Sequence, residues 1–133
     1  MKIEKSEYSG EGLVRVYENA TWMVGIKNWK PANDIANIDC LERHNETDEL
    51  FVLLAGSCTL LFANEKEQGL EIEAEAMEPL KLYKIPQSLW HNTVTKKDTK
   101  LLLVEDSATC SKNSDVVMLD PAQRTKVRAL VSD

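Results

Sequence analysis

Through most of this chain apolar residues recur at every second position in short runs, and Gly, Pro, Asn and Asp separate the runs. A two-residue period puts alternate side chains on opposite faces of an extended segment, so it predicts strands. The first runs are Leu13 to Tyr17 and Thr21 to Trp29, divided by Glu18-Asn19-Ala20. In the second, Trp22, Val24 and Ile26 share one face, although Met23 makes the other face partly apolar as well. Pro31 to Asp34 reads as a loop. Ile35 to His44 alternates again, with Ile38, Cys40, Glu42 and His44 on one side and Asp39, Leu41 and Arg43 on the other.

Asn45 to Asp48 is a polar turn, in which Glu46 and Asp48 read as solvated residues. Leu50 to Leu54 is then a strand ended by Gly56, and Thr59 to Ala63 carries the chain back. Leu70 to Glu75, Leu80 to Ile85, Trp90 to Thr95 and Leu101 to Glu105 complete the series, with turns at Pro79 and Pro86. Many short strands between such breakers point to an all-β sandwich or barrel.

The last segment changes period. Asp120 before Pro121 is a good N-cap and first-turn pair, and Val127, Leu130 and Val131 have helical spacing. This predicts a short C-terminal helix that caps the barrel or packs against a partner subunit. Ser107 to Asp115 is polar and reads as a loop.

Composition narrows the class. A chain of 133 residues supports one core and not two ordinary domains, so residues 1–133 are expected to form one unit, with a barrel core at about 13–106 and an extension at 107–133. At 43% apolar and 29% charged residues it has the balance of a folded domain. No run of apolar residues is long enough to span a bilayer, and Met1 to Glu7 lacks the apolar stretch of an export signal. No membrane association is expected, and the cytoplasm is the default compartment. Cys40, Cys58 and Cys110 are odd in number and without C-x-x-C spacing, which argues against a disulfide framework and a thiolate zinc site. The net charge is -6, and the four arginines form no cluster, so nucleic acid is not an expected partner.

The candidate chemistry lies at the two histidines, His44 and His91, each bordering a strand. Glu42 and His44 are two apart, so one strand projects both to the face that also carries Ile38 and Cys40. A carboxylate on an interior face is costly unless it is paired, hydrogen-bonded or bound to a metal. The opposite register, with Glu42 in solvent and Arg43 tucked beneath, stays open at this point. Glu49 opens the next strand, where a short turn can bring its carboxylate to the His44 imidazole. Mixed nitrogen and oxygen donors suit Zn, Mn, Fe, Co or Ni without choosing among them. Thr93 shares the face of His91, Trp90 takes the opposite one, and Tyr83 reads as structural.

The stretch from Glu42 to Gly56 resembles the first motif of the cupin superfamily. His44, Glu49 and Gly56 match its second His, its Glu and its Gly, separated by four and by six residues. Pro86, Ser88 and His91 match the second motif, 47 residues on from His44 to His91. The resemblance covers roughly Thr21 to Glu105. It implies a double-stranded β-helix, or jelly-roll, barrel with an internal metal site held by Glu42, His44, Glu49 and His91. Two positions depart from the family pattern: Glu42 stands where a first His is usual, and Ser88 where a Gly is usual.

The resemblance further implies a divalent metal ion as cofactor, a homodimer paired through its sheets, and a small oxygen-rich polar metabolite as ligand. Such a site fits a lyase, isomerase or oxygenase. Highly phosphorylated substrates are disfavoured, because Arg15, Arg124 and Arg128 lie outside the motif region. The competing reading is a binding or structural cupin whose metal site has degenerated at Glu42.

Overall fold

The computed structural model describes residues 1–131 and is built from two antiparallel sheets of five strands each. The first sheet contains β1 (Leu13–Glu18), β2 (Trp22–Asn28), β4 (Glu49–Ala55), β7 (Leu82–Ile85) and β9 (Lys100–Asp106). Their order is β1-β2-β9-β4-β7. The second contains β3 (Cys40–His44), β5 (Cys58–Lys66), β6 (Gly69–Ala76), β8 (Trp90–Thr95) and β10 (Ser114–Met118). Their order is β10-β3-β8-β5-β6. The sheets face each other without closing into a continuous ladder, giving a barrel-like jelly roll with one short helix, α1 (Pro121–Leu130).

The core has two parts because the second sheet is covered on both faces. Between the sheets lie Met23, Phe51, Leu53, Leu60, Leu101 and Leu103. On the outer face of the second sheet, Leu41, Leu61, Ile72 and Val94 pack under Ile38, Leu119 and Val127. Leu60 and Leu61 are therefore both buried, although they point in opposite directions. The helix lies against this outer face of the second sheet, with Val127 buried, rather than over an end of the barrel. Its start follows the sequence signal: the Asp120 side chain accepts from the Gln123 amide at 2.8 Å, and Gln123 returns the bond to the Asp120 amide at 2.9 Å. No helix among the described residues is long and apolar enough to cross a membrane.

Three segments differ from the sequence expectation. Ile35 to Asp39 is not part of a strand: two short 3₁₀ turns, Pro31–Asn33 and Ile35–Asn37, precede β3. Asp34 enforces this by accepting the Ala36 amide at 3.1 Å, a local bond that competes with sheet pairing. Ile38 thereby joins Leu41 on the outer face instead of sharing a face with Glu42. The stretch read as loop ends in strand β10, which pairs with β3 from Ser114 opposite His44 to Met118 opposite Cys40. On β2 the face toward the interior is the one bearing Met23, Gly25 and Lys27, while Trp22 is exposed.

Two of the residues with a left-handed backbone, Gly56 and Ser88, stand at the motif positions. Gly56 has φ of 69°, and a Cβ there would lie 2.5 Å from the Asp98 carbonyl oxygen, so only glycine fits. Ser88 has φ of 68° and keeps the shape that glycine would adopt. Its amide donates to the His44 carbonyl at 2.8 Å, and its hydroxyl donates to Asn45 Oδ1 at 3.1 Å.

Candidate metal centre

Glu42 and His91 are direct cross-strand partners between β3 and β8, so they occupy the same face. His44 follows two residues after Glu42 on that face, and Ser114 of β10 lies opposite it. The Asn45-to-Asp48 turn then crosses from the second sheet to the first, which sets Glu49 across the interior from His44. The four residues named from sequence thus meet, together with a fifth. Glu105 reaches the cluster from β9, where Leu101, Leu103 and Glu105 alternate onto the inner face.

His91 Nε2 stands 2.9 Å from Glu49 Oε1. From His44 Nε2 the distances are 3.5 Å to Glu49 Oε1, 3.7 Å to Glu105 Oε2 and 3.8 Å to Glu42 Oε1. The two imidazoles are edge to face, with centroids 5.3 Å apart. Both rings are anchored through their other nitrogen. His91 Nδ1 donates to the Leu89 carbonyl at 2.9 Å, and His44 Nδ1 is 2.8 Å from Ser114 Oγ.

These contacts fix a chemical conflict. A carbonyl can only accept, so the Nδ1 proton of His91 is committed to Leu89, and a neutral ring turns its bare Nε2 lone pair toward the Glu49 carboxylate. Two electron pairs at hydrogen-bond distance need a cation between them or a second proton on the ring. The buried Glu105 Oε2 has no hydrogen-bond partner and faces the same space, 3.7 Å from His44 Nε2. The protonation balance reflects this crowding. Burial alone would raise Glu49, but His44 and His91 hold its carboxyl well below the ordinary range. Burial lowers His44, yet Glu49, Glu42 and Glu105 outweigh it and lift the imidazole above its ordinary value. Burial and the neighbouring Glu49 charge push Glu105 up to about 8.

The donor set fits a divalent ion. Ligand atoms about 2.1 Å from a metal stand about 3.0 Å apart when adjacent in an octahedron and about 3.4 Å apart in a tetrahedron. The observed separations of 2.9 to 3.8 Å span that range. Two trios, Glu42-His44-His91 and His44-Glu49-Glu105, bring one donor atom each within 4.8 Å of one another. The ring nitrogens turned away from the cluster are held by a backbone carbonyl and a hydroxyl, the arrangement that orients metal-ligating histidines.

The cluster opens into a cavity of about 460 Å³, a size suited to a small molecule. Thr93 lines its wall with the His91 face, as the strand period predicts. Arg43 points outward, stacked 4.3 Å over Trp90 and bonded to Asp115, so the inward register of Glu42 holds. Glu46 and Asp48 are exposed, and the Asp48 carboxylate accepts the Gln87 amide at 2.8 Å. Tyr83 accepts the Glu78 amide at 2.8 Å. Arg15, Lys27 and Lys30 all line the cavity, so its wall carries basic groups beside the carboxylates. They come from β1, β2 and the segment after it, which the first sheet folds back over the site.

Neither a protein-family model nor a curated protein sequence matches the chain. Solved structures do match it in shape. Pac13, a nucleoside dehydratase, superposes with a TM-score of 0.58 at 9% identity, over 80% of this chain and 78% of Pac13. A protein from Planctomyces limnophilus gives 0.56 at 13% identity, over 85% and 96% of the two chains. Oxalate oxidase gives 0.50 at 15% identity, over 74% of this chain and 46% of the enzyme. These are cupin-fold proteins, and this chain shares their fold. At such identities the likeness concerns the fold and leaves chemistry to the site.

Proposed function

We propose that this chain is a metal-dependent cupin acting on a small, oxygen-rich polar metabolite, by lyase, isomerase or oxygenase chemistry. Glu42, His44, Glu49 and His91 would hold one divalent ion, with Glu105 as a further oxygen beside them. The observation that carries this reading is the approach of His91 Nε2 to Glu49 at 2.9 Å while its Nδ1 is committed to a carbonyl. A bound divalent ion supplies Lewis acidity toward a carbonyl, carboxylate or hydroxyl oxygen. The protein's own contribution is orientation and shelter: Leu89 and Ser114 fix the rings, and Thr93 offers a hydroxyl to the cavity. The whole 133-residue unit would act as one cupin domain in the cytoplasm, paired as a homodimer through its sheets.

The same contact supports a second reading. If His91 carries both protons, the His91–Glu49 pair is a buried ion pair that needs no metal, and the barrel is a binding or structural module. Elemental analysis of protein purified without a metal-affinity tag separates the two. The metal reading expects about one equivalent of a transition metal, lost in His44→Ala and His91→Ala. Metal-free wild type that takes up no divalent ion on titration would leave the ion-pair reading in possession.

A further inference from the structure

Lys27 occupies a place that the metal cluster does not account for. It lies on the inner face of β2, opposite Leu13 of β1 and Leu101 of β9, and its side chain enters the cavity shared with Glu42, His44, Glu49 and His91. Lysine is among the residues least often buried, because its ammonium loses hydration that few interiors replace. Among the described residues its Nζ makes no hydrogen bond and no ion pair; Glu49 and Glu42 act on it only through space. Burial lowers its basicity, and those two carboxylates oppose that. The side chain is half-buried and lines the cavity, a cation at its wall.

The other basic residues of the wall are placed differently. The Arg15 guanidinium is already bonded to Glu18 and to the carbonyls of Ser107 and Thr109, which ties the 107–113 segment over the mouth. Lys30 is exposed at the rim. Three cations thus share the cavity with three carboxylates, Glu42, Glu49 and Glu105. A divalent ion at the cluster would leave the cavity with a surplus of positive charge, and Lys27 is its half-buried cation without a partner, Lys30 being exposed to solvent. An ammonium is a point charge suited to a single carboxylate, and the wall has no second free cationic fork beside it of the kind that phosphate groups favour.

We propose that the cavity takes a small organic dianion, one carboxylate bound by the Lys27 ammonium while oxygen at its other end faces the histidine–carboxylate cluster. This rests on the metal reading for the second contact but not for the first. Leu13 from the first sheet and Val116 from the second, both lining the cavity, would cover the carbon skeleton between the two ends.

The test uses succinate and its neutral diamide as probes, with wild type, Lys27→Met and Lys27→Arg, each titrated first with Zn(II) and then with the probe by calorimetry. Metal-free samples are titrated with the same probes. Zn(II) binding should be retained in Lys27→Met. Succinate should bind wild type at least about tenfold more tightly than the diamide, Lys27→Met should lose that preference, and Lys27→Arg should recover part of it. If Zn(II) binds but succinate binds Lys27→Met as well as wild type, or binds none of the proteins, the anion site is refuted and the metal reading stands. If Zn(II) does not bind while succinate still requires Lys27, the metal reading falls and the anion site survives.

Discussion

Ser88 shows how a departure at one residue can leave a motif's geometry intact. The turn before β8 needs a left-handed residue so that the Ser88 amide can reach the His44 carbonyl, and φ is 68° there. A non-glycine residue in that conformation is strained by about 1–2 kcal/mol, while glycine at the same place costs about 0.5–1 kcal/mol in chain entropy. Ser88 also gains a hydroxyl bond to Asn45 Oδ1. The balance predicts that Ser88→Gly is neutral to stabilising by about 1 kcal/mol and that Ser88→Val destabilises by about 1–3 kcal/mol. Urea unfolding of the two variants checks this, and a Gly variant weaker than the Val variant would contradict it. The site residues divide similarly between readable and hidden. His44, Glu49 and His91 are legible from motif spacing, and Glu42 from its two-residue spacing to His44. Glu105 was not, although Leu101, Leu103 and Glu105 alternate plainly onto one face. Lys27 was hidden for a physical reason: the more apolar-looking face of β2 is the outer one, and a glycine and a lysine follow Met23 on the inner face.

At the level of elements, β10 was the strand that sequence concealed. It is an edge strand of five residues whose Val116 and Met118 are exposed, so it lacks the alternation that burial imposes. Side chains at its start bind it to β3: Asp115 accepts from Arg43 Nε at 2.8 Å and from Asn45 Nδ2 at 2.9 Å. The Asn45 bond, then Arg43, hold the Asp115 carboxyl below its ordinary value. A depressed folded-state pKa contributes stability that is fully present above the unfolded value, about 4, and is lost as pH falls through the folded one. Asp115→Asn should therefore lower Tm slightly near neutrality, where the contribution is fully present, and the difference from wild type should shrink as pH falls below about 4. Because the carboxylate is solvent-accessible, the effect is small, and parallel curves for the two proteins would rule out this strand anchor. The helix, by contrast, is legible from Asp120-Pro121 and the spacing of Val127, Leu130 and Val131, since capping chemistry and helical period are local. Its resting place was not, because the apolar outer face of the second sheet emerges only once Leu41, Leu61 and Val94 are aligned across strands.

For the molecule as a whole, the cluster joins two sheets that make no continuous ladder. Glu49 and Glu105 come from the first sheet, and Glu42, His44 and His91 from the second. A ligand that binds these residues only when the sheets are assembled stabilises the folded state by mass action, about 2.7 kcal/mol at a free concentration one hundred times its Kd. For a chain of 133 residues that corresponds to a rise in Tm of roughly 10 °C. Zn(II) or Mn(II) should produce such a rise in wild type, and EDTA should reverse it. His91→Ala removes a donor from the second sheet and Glu49→Gln weakens the one facing it, so each should show a much smaller rise. A metal-free ion pair makes the opposite prediction. There the folded state is already compensated, divalent ions shift nothing, and Glu49→Gln lowers Tm outright by stranding a buried imidazolium, a loss of about 3–5 kcal/mol for one partner of a buried pair. Thermal scans of wild type and Glu49→Gln with and without ion thus tell a stapled barrel from a self-neutralised one by whether the ion raises Tm in the wild type.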